Sequence, residues 1–153
     1  MRKLISMVVS FAAAGLLAVS AHAEVAPGAV QFKDNAVNAS LTGKKGDAKA
    51  GRKWFVGRRL GNCLACHVNK ETSEQQFHGE VAPPLDGVAS RYSEAQLRAI
   101  VSNPKKVFGP ESLMPAFYRA DGYNRVAKKF EGKTILSAQQ VEDVIAYLKT
   151  LKE

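Results

Sequence analysis

Val141, Val144, Ile145, Leu148 and Leu151 recur at i, i+3, i+4, i+7 and i+10, the spacing that lays apolar side chains along one face of a helix. Glu142, Asp143 and Lys149 fall on its other faces, and Ser137 with Gln140 supplies a capping box at its start. The same device, Ser93 with Gln96, opens an earlier helix whose apolar stripe is Leu97, Ile100 and Val101 and whose end is marked by Pro104. A further helix is predicted from a cap at Asp47 through about Arg59, with Trp54 and Phe55 available to one face and Gly61 stopping it just before Cys63. No run alternates as a strand should. Gly79, Pro83, Pro84, Gly109, Pro110, Pro115 and Gly132 punctuate long loops instead. Residues 24–46 place Val25, Val30, Phe32, Val37 and Leu41 at no helical or strand period and read as an extended arm.

The N-terminus sets the compartment. Arg2 and Lys3 precede an apolar run from Leu4 to Val19, and Ala21 and Ala23 frame a small-residue cleavage site, the pattern of a secretory signal peptide over residues 1–23. The run is shorter than the ~20 residues of a membrane span, and no later stretch could span a bilayer. An exported protein cut between Ala23 and Glu24 is therefore expected, with an arm at 24–46 and one domain at 47–153. Cleavage takes away Met1, Met7 and His22, which leaves Met114 as the one methionine and His67 and His78 as the histidines. The formal net charge is +8. Losing Arg2 and Lys3 with no acid leaves the chain basic, and its cations gather at 44–59 and 128–152. We read them as a solvated face for docking an acidic protein, with neither nucleic acid nor membrane as partner. Two short matches, Asn38-Ala39-Ser40 for glycosylation and Gly132-Lys133-Thr134 for a phosphate loop, are too weak to assign.

The two cysteines stand in Asn62-Cys63-Leu64-Ala65-Cys66-His67, and C-x-x-C-H reads as c-type haem attachment: two thiols join the haem vinyl groups and the adjacent imidazole reaches the iron. Three other readings exist. A thioredoxin-like redox pair needs a βαβ setting, which is missing; a zinc site needs four ligands, and only His78 remains beyond the cluster; a plain disulfide makes His67 a coincidence. A few helices with this much loop also bury a small core, a deficit that one large apolar prosthetic group makes up.

Iron held by His67 has a second face to fill. Met114 is the leading candidate, because a thioether is a good axial ligand and Pro115 holds it in an extended loop rather than a helix. His78 is the rival, through a short loop round the haem edge. Axial imidazoles usually donate their other N–H to a carbonyl or carboxylate, and the carbonyl of Pro83 in Ala82-Pro83-Pro84-Leu85 is the expected acceptor, against the plainer reading of a surface turn.

The helix, the CLACH turn, the proline loop, the Met-Pro loop and the amphipathic last helix together resemble class I cytochromes c over roughly Asp47 to Lys152. The stretch from Leu113 through Leu151, LMPAFYRADGYNRVAKKFEGKTILSAQQVEDVIAYLKTL, is similar to the SoxX family, the monohaem cytochrome subunits of the SoxAX complexes of bacterial thiosulfate oxidation. The resemblance implies an all-α class I cytochrome c fold, with a few helices and long loops around one covalently bound haem c. It implies Cys63 and Cys66 as the thioether positions, His67 and Met114 as axial ligands, and Pro83 as the carbonyl orienting His67, although Ala82 stands where a glycine is usual. It implies a periplasmic heterodimer in which SoxA joins thiosulfate oxidatively to a cysteine of the carrier SoxYZ, an L-cysteine S-thiosulfotransferase reaction, while this subunit accepts the electrons and passes them to a downstream cytochrome. The arm at 24–46 lies outside the core of such a domain and is expected to lie against the partner. From the residues alone, forming a sulfur–sulfur bond needs a free thiolate, and both thiols here are taken by haem, so the chain by itself is expected not to be catalytic. A free electron shuttle to a terminal oxidase and a gas-binding sensor haem are the alternatives.

Overall fold

The computed structural model describes residues 23–153; the signal peptide expected over residues 1–23, with Met1, Met7 and His22, lies outside the described residues except for Ala23. Among the described residues five α-helices form: α1 (Ala48–Val56), α2 (Val88–Arg91), α3 (Glu94–Ser102), α4 (Lys105–Phe108) and α5 (Ala138–Leu148). Among the described residues there is no strand, only isolated bridges. Both capping boxes close. Ser93 Oγ accepts from the Gln96 N–H at 3.3 Å while Gln96 Oε1 accepts from the Ser93 N–H at 2.9 Å, and Ser137 with Gln140 does the same at 3.2 and 2.8 Å. The Asp47 carboxylate caps α1 as expected. That helix stops at Val56 rather than near Arg59, because Gly57 turns extended and its carbonyl accepts from the N–H groups of Leu60 and Asn62 to close a turn. The short helices α2 and α4 carry too few residues to show a period and were not expected.

The core forms where α1 crosses α5. Phe55 meets Tyr147 edge-on with ring centroids 5.1 Å apart, and Val141, Val144, Ile145 and Leu148 are buried around them as the periodicity predicts. The crossing is close because Gly51 has no side chain: a Cβ there would overlap the Asp143 carbonyl oxygen of the facing helix. Gly51→Ala should therefore cost about 1–3 kcal/mol, the usual penalty for overfilling a packed contact. The check is the denaturant midpoint, and an unchanged midpoint would show that the helices separate freely.

Two expectations are corrected here. Glu142 and Asp143, placed by periodicity on faces away from the apolar stripe, are buried. Glu142 forms a two-point ion pair with Arg98 of α3 at 2.8 and 3.0 Å, each side chain only 4 % exposed. Asp143 accepts from the backbone N–H of Asp47 and the indole N–H of Trp54, tying α5 to the start and body of α1. The segment 24–46 likewise does not lie outside the core. Val37 and Leu41 are buried in it, the Leu41 N–H donates to Glu142 Oε1 at 2.7 Å, Arg98 donates to the Val37 carbonyl at 3.0 Å, and the Val37 N–H donates to the Ala95 carbonyl at 2.9 Å. The arm is aperiodic because its few apolar side chains plug gaps between helices singly rather than forming a face.

Candidate cofactor site

Beyond α1 the chain turns through Gly57–Asn62. Gly61 sits against the Trp54 carbonyl with no room for a Cβ, and Asn62 takes the left-handed conformation (φ 48°) that asparagine tolerates. A single 3-10 turn, Cys63–Ala65, follows, and the N–H groups of Cys66 and His67 both donate to the Cys63 carbonyl, at 3.2 and 3.0 Å. One turn of backbone thus presents both sulfurs and the imidazole. The sulfurs are not joined in a disulfide. Burial pushes the Cys63 thiol up to about 12, so as a free thiol it stays protonated near neutral pH and makes a poor redox nucleophile. Among the described residues, no group of three or more His, Cys, Asp and Glu side chains is arranged to hold a metal ion in the manner of a zinc site.

Residues 64–68 and 79–85 run side by side, through N–H bonds from Gly79 to the Leu64 carbonyl, from Ala82 to Cys66 and from Leu85 to Val68 (2.8, 3.0 and 2.9 Å), with a parallel bridge between His67 and Ala82. This pairing sets the Pro83 carbonyl 2.7 Å from Nδ1 of His67; a carbonyl can only accept, so Nδ1 carries the hydrogen and Nε2 keeps its lone pair for a ligand. Ala82 is not among the residues with positive φ, which is why alanine serves where a glycine is usual. The proline loop is held from its far side by Arg91 of α2, whose guanidinium donates to the carbonyls of Pro84 (2.7 Å) and Asp86 (2.6 Å).

His78 is otherwise engaged. Its Nε2–H donates to the Thr72 carbonyl at 3.2 Å and its Nδ1 accepts from the Asn69 N–H at 3.4 Å, so both ring nitrogens close their own loop. That loop is anchored by Asn69 to the Tyr147 hydroxyl (2.9 Å) and by Arg52 to Glu71 and Glu74 (2.9 and 2.7 Å).

Met114 is half-buried and packs, like Cys63, against the main apolar cluster. Its loop is fixed at many points: Phe117 and Tyr118 donate to the carbonyls of Val101 and Ser102, the Tyr123 hydroxyl donates to the Ala116 carbonyl at 2.6 Å, and the Lys105 ammonium donates to the carbonyls of Ser112 and Met114. Sequence reasoning missed Lys105, Tyr123 and Arg91, since a lone cation or phenol aimed at a loop carbonyl leaves no pattern in the chain.

The donor set fits haem c. It offers two unpaired sulfurs in one turn, an imidazole with its second nitrogen already satisfied, and a thioether in a braced loop. Large apolar side chains near these donors in the chain also stand uncovered: Phe77 (81 % exposed) and Val81 between His67 and Pro83, Phe108 at the end of α4, and Leu113 (84 %) next to Met114. Such exposure is costly unless an apolar surface covers it.

The sequence profile of the family described as "Cytochrome c" matches residues 48–152. The chain is also similar to one chain of the crystal structure of SoxXA from P. pantotrophus, with 46% sequence identity over 86% of this chain and 100% of that chain and a TM-score of 0.80. No curated protein matches. Donor set, fold and both likenesses agree that the chain belongs to the cytochrome c family and carries covalently bound haem c.

Proposed function

We propose that this chain is the electron-accepting monohaem cytochrome, SoxX-like, of a SoxAX complex in bacterial thiosulfate oxidation. The observation that carries the reading is the likeness to a SoxXA chain along that chain's full length. In this reading Cys63 and Cys66 would hold the haem through thioethers, His67 and Met114 would ligate its iron, and the Pro83 carbonyl orients His67. The haem supplies one-electron transfer, at a potential that thioether ligation raises. The polypeptide fixes that potential by bracing both ligand loops and excluding water from the packed side. Neither cysteine remains to carry sulfur, so SoxA forms the bond between thiosulfate and the SoxYZ cysteine and this subunit receives the electrons, handing them to a downstream cytochrome. The protein acts in the periplasm, exported by a signal peptide cut between Ala23 and Glu24, with 24–46 and 47–153 as its two sequence regions. No helix of the described residues is long and apolar enough to cross a membrane.

The test is reconstitution. Alone, the haem-loaded chain should be reducible and reoxidisable yet show no thiosulfate-dependent turnover. With SoxA and the SoxYZ carrier it should support thiosulfate-dependent electron flow, its haem being reduced during turnover. Failure to associate with SoxA at any salt concentration would return the free electron shuttle to first place.

A further inference from the structure

Lys105 is a cation whose reach is spent inside the protein. It stands at the first position of α4, where its own N–H donates to Asn103 Oδ1 (3.2 Å), so the start of its helix is fixed by the Asn103 side chain, buried at the end of α3. From there its ammonium donates to two carbonyls of the neighbouring loop, Ser112 and Met114, the latter at 3.0 Å. The carbonyl of Met114 has no backbone partner among the described residues, and the next residue, Pro115, has no N–H with which to continue a ladder. The loop on this side therefore has no secondary structure to hold it. Among the described residues its backbone is held before Met114 by the Ser112 N–H to the Gly109 carbonyl, a bond within the loop itself, and after it at Ala116–Tyr118. Lys106, the next residue on the same helix, is exposed and makes no side-chain hydrogen bond among the described residues.

We propose that Lys105 is a positioning residue for Met114: it clasps the loop carbonyls on both sides of Leu113 and so keeps the thioether in place. The inference rests on Met114 being the axial ligand. Its physical basis is that a charged donor shared between two carbonyls fixes a span of backbone that a single neutral bond would let swing. Leu113, between those carbonyls in the chain, is exposed and lies outside the apolar core, so the polypeptide itself gives the loop no apolar anchor there.

The experiment compares five variants of the haem-loaded protein by the long-wavelength sulfur-to-ferric-iron absorption band and by carbon monoxide binding to the ferrous form. Lys105→Gln, or Lys105→Met as a second variant that keeps the aliphatic stem without the donor, should weaken the band and raise carbon monoxide binding about tenfold, the scale of one charge-assisted hydrogen bond exchanged for water. Lys105→Arg should restore most of the band. Lys106→Gln, with the same loss of charge one position along, should change neither signal. Met114→Ala is the reference and should abolish the band outright. If Met114→Ala abolishes it while both non-donor variants match the parent, the clasp is wrong and the ligand assignment stands. If Lys106→Gln behaves as Lys105→Gln does, charge rather than the clasp is responsible, and the proposal falls. A band that survives Met114→Ala overturns the ligand assignment and the clasp together.

Discussion

Replacing both Cys63 and Cys66 by alanine should leave almost no stable haem-bearing protein, and each single replacement should give an intermediate yield held by one thioether. Packing, more than the thioether bonds themselves, sets the size of the effect. Phe77, Val81 and Leu113 stand uncovered on the loops that carry the donor residues, with Phe108 at the end of α4, and each of them that haem covers gains about 1.5–3 kcal/mol of burial. A domain of this size has a net stability on the order of 5–15 kcal/mol, so losing the covering group removes a large share of it. Yield of haem-bearing protein and the unfolding midpoint read the effect. A doubly substituted chain that folds without haem as stably as the parent does with it would refute the idea that the cofactor completes the core.

Glu142→Ala should be the most damaging single change away from the ligands, at about 3–5 kcal/mol, because it strands a buried guanidinium. Arg98 would lose both contacts to the carboxylate while keeping only Glu94 and the Val37 carbonyl, and the Leu41 N–H would lose its acceptor. The loss should appear first as faster proteolysis within residues 24–46. Replacing both members of the pair by apolar residues, as Arg98→Met with Glu142→Leu, should recover much of the stability, since no charge is then left alone in the interior. A melt for Glu142→Ala no different from that of an exposed control such as Glu131→Ala would show that water reaches the pair freely.

Legibility in the sequence followed the range of the interaction. The capping boxes at Ser93 and Ser137, the Asp47 cap and the α5 stripe are local, and all are present. Leu151 shows the limit of periodicity: it keeps its place on the stripe and is buried, although α5 itself ends at Leu148. That Cys63, Cys66 and His67 share one turn was legible because the spacing is local, and the contact of the Pro83 carbonyl with His67 because proline restricts its loop. The arm was not legible. Its burial depends on Arg98 and Glu142, which lie 61 and 101 residues along the chain from the backbone groups they hold. Periodicity reports which side of a helix is apolar; it cannot report that a charged pair lies beneath a neighbouring segment. The role of His78 also needed coordinates, since a histidine closing its own loop and one reaching for a metal look alike in a string of letters.

The crossing of α1 and α5 also orders events in time. The bonds from Trp54, Asp47 and Leu41 to the last helix span 89, 96 and 101 residues, so most of the chain must be present before any of them can form. Loop closure over such lengths is entropically slow and brings little reward until the final contacts are made. A chain delivered from its N-terminus therefore passes through a long interval in which α1 has no partner to pack against and Cys63 and Cys66 stand on an unclosed fold, open to the chemistry that joins them to haem. Arrival of α5 ends that interval, because only then can α1 pack against its partner helix.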